Sequence, residues 1–222
     1  GQTVRDRPFH TRYWDYLGWR DTVISSIGTA PFNHVVDLLP ARDETERIAA
    51  ANGVAATLDQ LDDFLVDPRI AGYWAIDGEL PLHSVVAKLS RRGQHYCLPR
   101  IIGPRQLAFV EWRPGVDLEA NRYGIPEAVC SAADLLAPDA VDIVLLPLLG
   151  FDRQGHRIGY GGGYYDASFA FLRGRSEAGQ PLLIGVGYAA QQVAAIAPAA
   201  WDVHLDYVAT EKELIDCWAE RA

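Results

Sequence analysis

The stretch VDIVLLPLLGFDRQGHRIGYGGGYYD, residues 141–166, decides the fold. Its opening, DIVLLPLL at residues 142–149, is nearly all apolar, as a strand buried on both faces should be. A glycine-rich segment follows, with Gly159, Gly161, Gly162 and Gly163 inside five residues, and then the expected start of a helix over residues 164–173. Glycine permits positive φ and lets the backbone come close to a ligand. Such a loop ahead of a helix offers unpaired N–H groups that can hold phosphate. Arg157 adds a fixed positive charge, and Asp166, one turn inside, is placed to hold Mg²⁺ beside phosphates. Neither standard nucleotide fingerprint is met. The P-loop lysine is absent, since Lys88 and Lys212 are the only lysines, and the dinucleotide spacing lacks its last glycine at position 164. A phosphate cradle and a tight structural turn both remain open on these grounds.

Outward from this segment, strands and helices alternate. Residues 70–76 (IAGYWAI), 95–99 and 107–112 read as strands, with a helix over 80–92 stopped by Gly93. Residues 131–136 read as a short helix. LLIGVGY at 182–188 is a second buried strand and DYVAT at 206–210 a short one. Residues 211–222 read as a closing helix with acids in its first turn. Upstream, the apolar spacing over 43–66 is helical. The fold class is therefore α/β: a three-layer α/β/α arrangement around a mainly parallel sheet. Ligands in such sheets sit beyond the carboxyl ends of the strands.

Residues 1–40 read as a separate aromatic arm before an α/β domain over 41–222. The arm carries Phe9, Tyr13, Trp14, Tyr16 and Trp19 with a helix expected over 11–27. Its aromatics suit packing on the core, on a ligand or on a second subunit, so the chain is expected as a monomer or as a homodimer through the arm.

The chain has 222 residues, 49% of them hydrophobic and 22% charged, a globular composition. The net charge of −9 disfavours a nucleic-acid partner. No apolar run approaches the ~20 residues of a membrane helix. No signal-peptide pattern stands at the start, and three widely spaced cysteines form neither a zinc signature nor a disulfide framework. The cytoplasm is the expected location.

GHRIGYGGGYYD resembles the signature of the 5-formyltetrahydrofolate cyclo-ligase (5,10-methenyltetrahydrofolate synthetase) family. IAGYWAIDGEL, GQHYCLPRI, NRYGIPE, VDIVLLPLLGFD and WDVHLDYVATE resemble further family segments in the right order, over roughly residues 55–215. The resemblance implies an ATP- and Mg²⁺-dependent enzyme acting on a folate. The formyl oxygen of 5-formyltetrahydrofolate attacks the γ-phosphate of ATP. N10 then attacks the imidate phosphate, and phosphate leaves to give the 5,10-methenyl product and ADP. By match to the motif, Arg157, Ile158, Gly159, Tyr160, Gly161, Gly162, Gly163, Tyr164 and Tyr165 form the ATP loop, with Arg157 and Tyr165 catalytic. Asp166 and Asp206 are implied metal ligands, and Trp74, Glu79 and Tyr123 are implied substrate contacts. The family usually opens with a helix bearing Lys-x-x-Leu-Arg; where spacing would put it, this chain reads SSIGTAPFN. That departure supports the alternative of a non-catalytic or re-specialised paralogue binding a folate or phosphate ligand.

Overall fold

The computed structural model describes residues 42–76 and 78–219. The aromatic arm and its expected helix lie outside them. Chain order gives α1 (Glu44–Leu58), α2 (Asp62–Val66), β1 (Arg69–Ala71), α3 (His83–Arg92), β2 (His95–Gly103) and β3 (Gln106–Glu111). Then come β4 (Leu118–Ala120), β5 (Pro126–Ala128), β6 (Ile143–Pro147), β7 (Gly150–Phe151) and β8 (Arg157–Ile158). The last elements are α4 (Tyr164–Ser168), β9 (Leu182–Val186), β10 (Tyr207–Ala209) and β11 (Leu214–Asp216).

Seven strands form one sheet in the order β11-β10-β9-β6-β1-β2-β3. The pairings from β10 through β2 are parallel, and β11 and β3 add antiparallel edges. β6 sits at the centre because both its faces are apolar. Ile143 and Leu145 join the core beneath α1–α3, while Val144 and Leu146 join the opposite core with Phe169 and Val203. β9 divides likewise, with Leu182, Ile184 and Val186 on one face and Leu183 on the other. The three layers are unequal. Helices cover one face, and the other is closed mainly by α4 and irregular chain.

Several expected elements differ. The helix read over 43–66 is two helices. Asp43 opens α1 with a capping box to Glu46, and the chain breaks at 59–61 where Leu61 turns into the core. Asp59 at that break binds Lys88 and Arg92 of α3, each at 2.6 Å. The strand read over 70–76 stops at Ala71, and the helix over 164–173 is one turn of α-helix followed by a 3₁₀ turn.

The closing helix is absent among the described residues. Thr210 Oγ1 accepts from Lys212 N and Glu213 N, turning the chain into a β10–β11 hairpin. Ile215 and Cys217 are buried on either side of exposed Asp216, an alternation that suits a strand edge.

Candidate active site

A cleft of about 550 Å³ lies beyond the carboxyl ends of the central strands. Pro147 at the end of β6 and Tyr73 just past β1 both line it. β1 and β6 are neighbours, but the next connection of each runs outward in opposite directions, so the cleft occupies the topological switch point.

The glycine loop forms one wall. A small hairpin, β7–β8, precedes it and is tied by Asp152, which is 1% exposed. Asp152 Oδ1 accepts from Gln154 N and His156 N. Its Oδ2 contacts His156 Nδ1 at 2.9 Å and accepts from Ile196 N, so one carboxylate fixes the loop and the opposite wall together. Sequence reading missed Asp152. The signal was an Asp two and four residues ahead of turn positions, a usual Asx arrangement. His156 is held in this pair with its side chain 15% exposed.

Gly161 and Gly163 have φ of 76° and 63°, in the left-handed region where a side chain is strained. This leads the chain into α4. At five residues α4 contributes less dipole than the expected longer helix would. Arg157, 7% exposed at its side chain, reaches across the loop. It donates to Asp166 Oδ1 and Val203 O, both at 2.5 Å. Asp166 Oδ1 also accepts from Val203 N.

The structure brings together residues 157–166, Trp74, Glu79 and Tyr123 around this one cleft. Tyr123 comes from the segment between β4 and β5. Its hydroxyl lies 3.0 Å from that of Tyr164, which also accepts from Arg122. Tyr165 stacks parallel to Phe169 with centroids 6.5 Å apart, and burial pushes its phenol well above the ordinary range, so it is a neutral hydroxyl. Trp74 is 38% exposed and meets Trp112 edge-on at 5.7 Å. Tyr73 lines the cleft as well, since β1 ends at Ala71 and strand alternation does not govern the residues after it. Glu79, 7% exposed, accepts from Ile76 N at 2.9 Å.

Asp206 does not join them. It is 0% exposed and lines neither cavity. Its Oδ2 accepts from Arg175 and from Leu183 N, and its Oδ1 from Trp218 Nε1. Burial raises its pKa, opposed by these partners. Asp206 was expected to share a cation with Asp166; here its carboxylate is taken up by internal donors, and it does not line the cleft that Asp166 lines. Among the described residues no three His, Cys, Asp or Glu side chains converge. Asp202, which sequence reading did not select, shares the cleft with Asp166, as do Glu79 and Glu127. Burial raises the Asp202 pKa, and the neighbouring Asp166 charge raises it further.

A polar-floored, aromatic-walled cleft at the switch point of a parallel sheet is the arrangement of an α/β ligand-binding enzyme. The profile of the 5-formyltetrahydrofolate cyclo-ligase family matches residues 18–211, and the chain belongs to that family of enzymes. It is 30% identical over 140 residues to the 5-formyltetrahydrofolate cyclo-ligase of Haemophilus influenzae, covering 62% of this chain and 72% of the relative. To the Escherichia coli K12 enzyme of the same name it is 29% identical over 147 residues, covering 65% and 79%. The fold matches 5,10-methenyltetrahydrofolate synthetase of Aquifex aeolicus with a TM-score of 0.68 and 26% identity, over 83% of this chain and 89% of that one. A Mycoplasma pneumoniae synthetase shares the fold at a TM-score of 0.63 and 21% identity, over 83% and 100%. Among the described residues no helix is long and apolar enough to cross a membrane.

Proposed function

We propose that this chain closes 5-formyltetrahydrofolate to 5,10-methenyltetrahydrofolate, using ATP and Mg²⁺ and releasing ADP and phosphate. The observation that carries the reading is the convergence of the whole 157–166 loop with Trp74, Glu79 and Tyr123 on one cleft. Phosphoryl transfer asks chiefly for positioning and charge neutralisation. The glycine loop presents backbone N–H groups, and Arg157 holds the loop closed by gripping Asp166 and Val203 O. A flat pterin suits the aromatic walls of Trp74, Tyr123 and Tyr164, and Glu79 supplies a buried polar anchor for its ring nitrogens.

The residues present suit Mg²⁺ bound together with phosphate oxygens rather than in an all-protein cage. Asp166 Oδ1 carries both of that carboxylate's hydrogen bonds, leaving Oδ2 for a ligand, and Asp202 stands in the same cleft. When bound, Mg²⁺ neutralises charge on the transferring phosphoryl group. Neutral Tyr165 and the Tyr123–Tyr164 hydroxyl pair orient the formyl group as donors.

The test is to mix the protein with 5-formyltetrahydrofolate and MgATP and follow the near-ultraviolet band of the methenyl product. ATP-dependent growth of that band is expected. A flat trace from folded protein, beside an active relative, overturns the reading. It would favour a paralogue that binds a ligand without turnover, the reading the Lys-x-x-Leu-Arg departure supports.

A further inference from the structure

Next to the cleft lies a second cavity of about 250 Å³, which shares Arg157, Pro198, Ala199 and Asp202 with it. Its charged lining is Arg157, Arg173, Arg175 and Asp202, with His156 and His204 beside them. Three arginines line one small space in a chain of net charge −9. Two of the three are compensated: Arg157 by Asp166 and Arg175 by Asp206. Arg173, an exposed residue, has no carboxylate partner among the described residues: its Nε donates to Trp201 O and its Nη2 to Asp166 O, each at 2.9 Å. These bonds hold its plane in place while leaving its charge uncancelled.

The opposing charge in the lining is Asp202, whose Oδ2 accepts from Ala199 N.

We propose that this cavity is a binding site for a small oxyanion of the size and charge of inorganic phosphate, with Arg173 as its principal cation. Planar guanidinium groups are suited to such anions because their N–H pairs match two oxygens at once. The volume admits a tetrahedral oxyanion with a few waters. Arg173 also bonds the main chain at Asp166, so occupancy of this cavity touches the loop from behind. The proposal is independent of the folate reading and stands or falls on anion binding alone.

The imidazole Cε1–H resonances provide the test. The whole chain is titrated with inorganic phosphate against chloride at fixed pH and ionic strength. Saturable shifts of His156 and His204 are expected, with His83 and His95, which line neither cavity, unmoved. Arg173→Ala should weaken the titration at least tenfold, and Arg173→Lys should restore part of it. Should Arg173→Ala not fold, Arg173→Gln carries the same comparison. A non-saturating response in the unaltered protein overturns the proposal. So does a titration unchanged by loss of Arg173, which would place phosphate in the main cleft beside Arg157. Weakening by Trp74→Ala but not by Arg173→Ala would overturn it in the same way.

Discussion

Arg157 and Asp166 close on each other across the glycine loop, Nη2 to Oδ1 at 2.5 Å, with the arginine side chain 7% exposed. A Cβ added at Gly159 would meet nothing within 4 Å, so at that position the loop has no close neighbour of its own. The ion pair joins the two ends of the loop, beside the tie that Asp152 makes to the hairpin before it.

Asp166→Ala leaves the Arg157 guanidinium largely buried without its counter-charge. Stability should fall by about 1–3 kcal/mol in urea unfolding, at the lower end because Asp166 itself is partly exposed. Calorimetry should show Mg-dependent nucleotide binding abolished. Asp166→Asn should recover most of the stability and little of the binding. MgATP affinity unchanged in the alanine variant would count against the metal role.

Asp206 separates an anchoring role from a cation role. Asp206→Ala strands buried Arg175, Leu183 N and Trp218 Nε1, and should cost about 3–5 kcal/mol with or without Mg²⁺. Denaturant midpoints that differ between the two proteins only when Mg²⁺ is present would return Asp206 to the metal site.

Tyr164→Phe removes the hydroxyl that joins Tyr123 and Arg122. The network is near the surface, so the thermal midpoint should move little. Turnover should fall by about tenfold through looser placement of substrate, on the order of one lost hydrogen bond. Steady-state kinetics equal to those of the unaltered enzyme would remove the pair from the site.

The Asp59 pairs predict an acid limb of stability. Burial pushes the Asp59 carboxyl up, but its bonds to Lys88 and Arg92 outweigh that, and its pKa ends below the ordinary 3.8. The folded state thus binds this proton more weakly than the unfolded state. The stabilisation is complete above the ordinary carboxylate value and is lost as pH falls through the folded one. Asp59→Asn should cost about 0.5–1 kcal/mol at neutral pH, and the gap should close under strong acid. Urea unfolding at neutral and acid pH checks this, and a gap that widens with acid would refute it.

Thiol chemistry should be selective. Burial pushes the Cys97 thiol up to about 12, and Cys217 is also buried, whereas Cys130 is half-buried. A thiol-disulfide reagent at neutral pH should label one cysteine quickly and two more only on unfolding. Mass spectrometry should find the first label on Cys130; labelling of Cys97 at the same rate would contradict the burial.

How much of this was legible beforehand depends on where each residue's partners lie in the chain. β6 and β9 were readable because an apolar run with no alternation needs two covered faces. The helical spacing over 43–66 was readable too, but not its break, because Asp59 ends α1 where its partners Lys88 and Arg92 lie about thirty residues away. The strand β11 was misread for a related reason. Acids ahead of an apolar run suit a helix start, and only an open edge at β10 makes pairing the better choice.

The sequence by itself determined the family, the parallel sheet and the loop at 157–166, because periodicity and local motifs are written in near neighbours. Tertiary structure alone decided that Asp206 faces Arg175 and Trp218 rather than the cleft, and that Asp152 binds both the loop and Ile196. It also put Asp202 in the cleft and left Arg173 without a counter-charge among the described residues. An ionisable group's role depends on its burial and on the charges around it. For these four residues the deciding partners mostly lie far away in the chain.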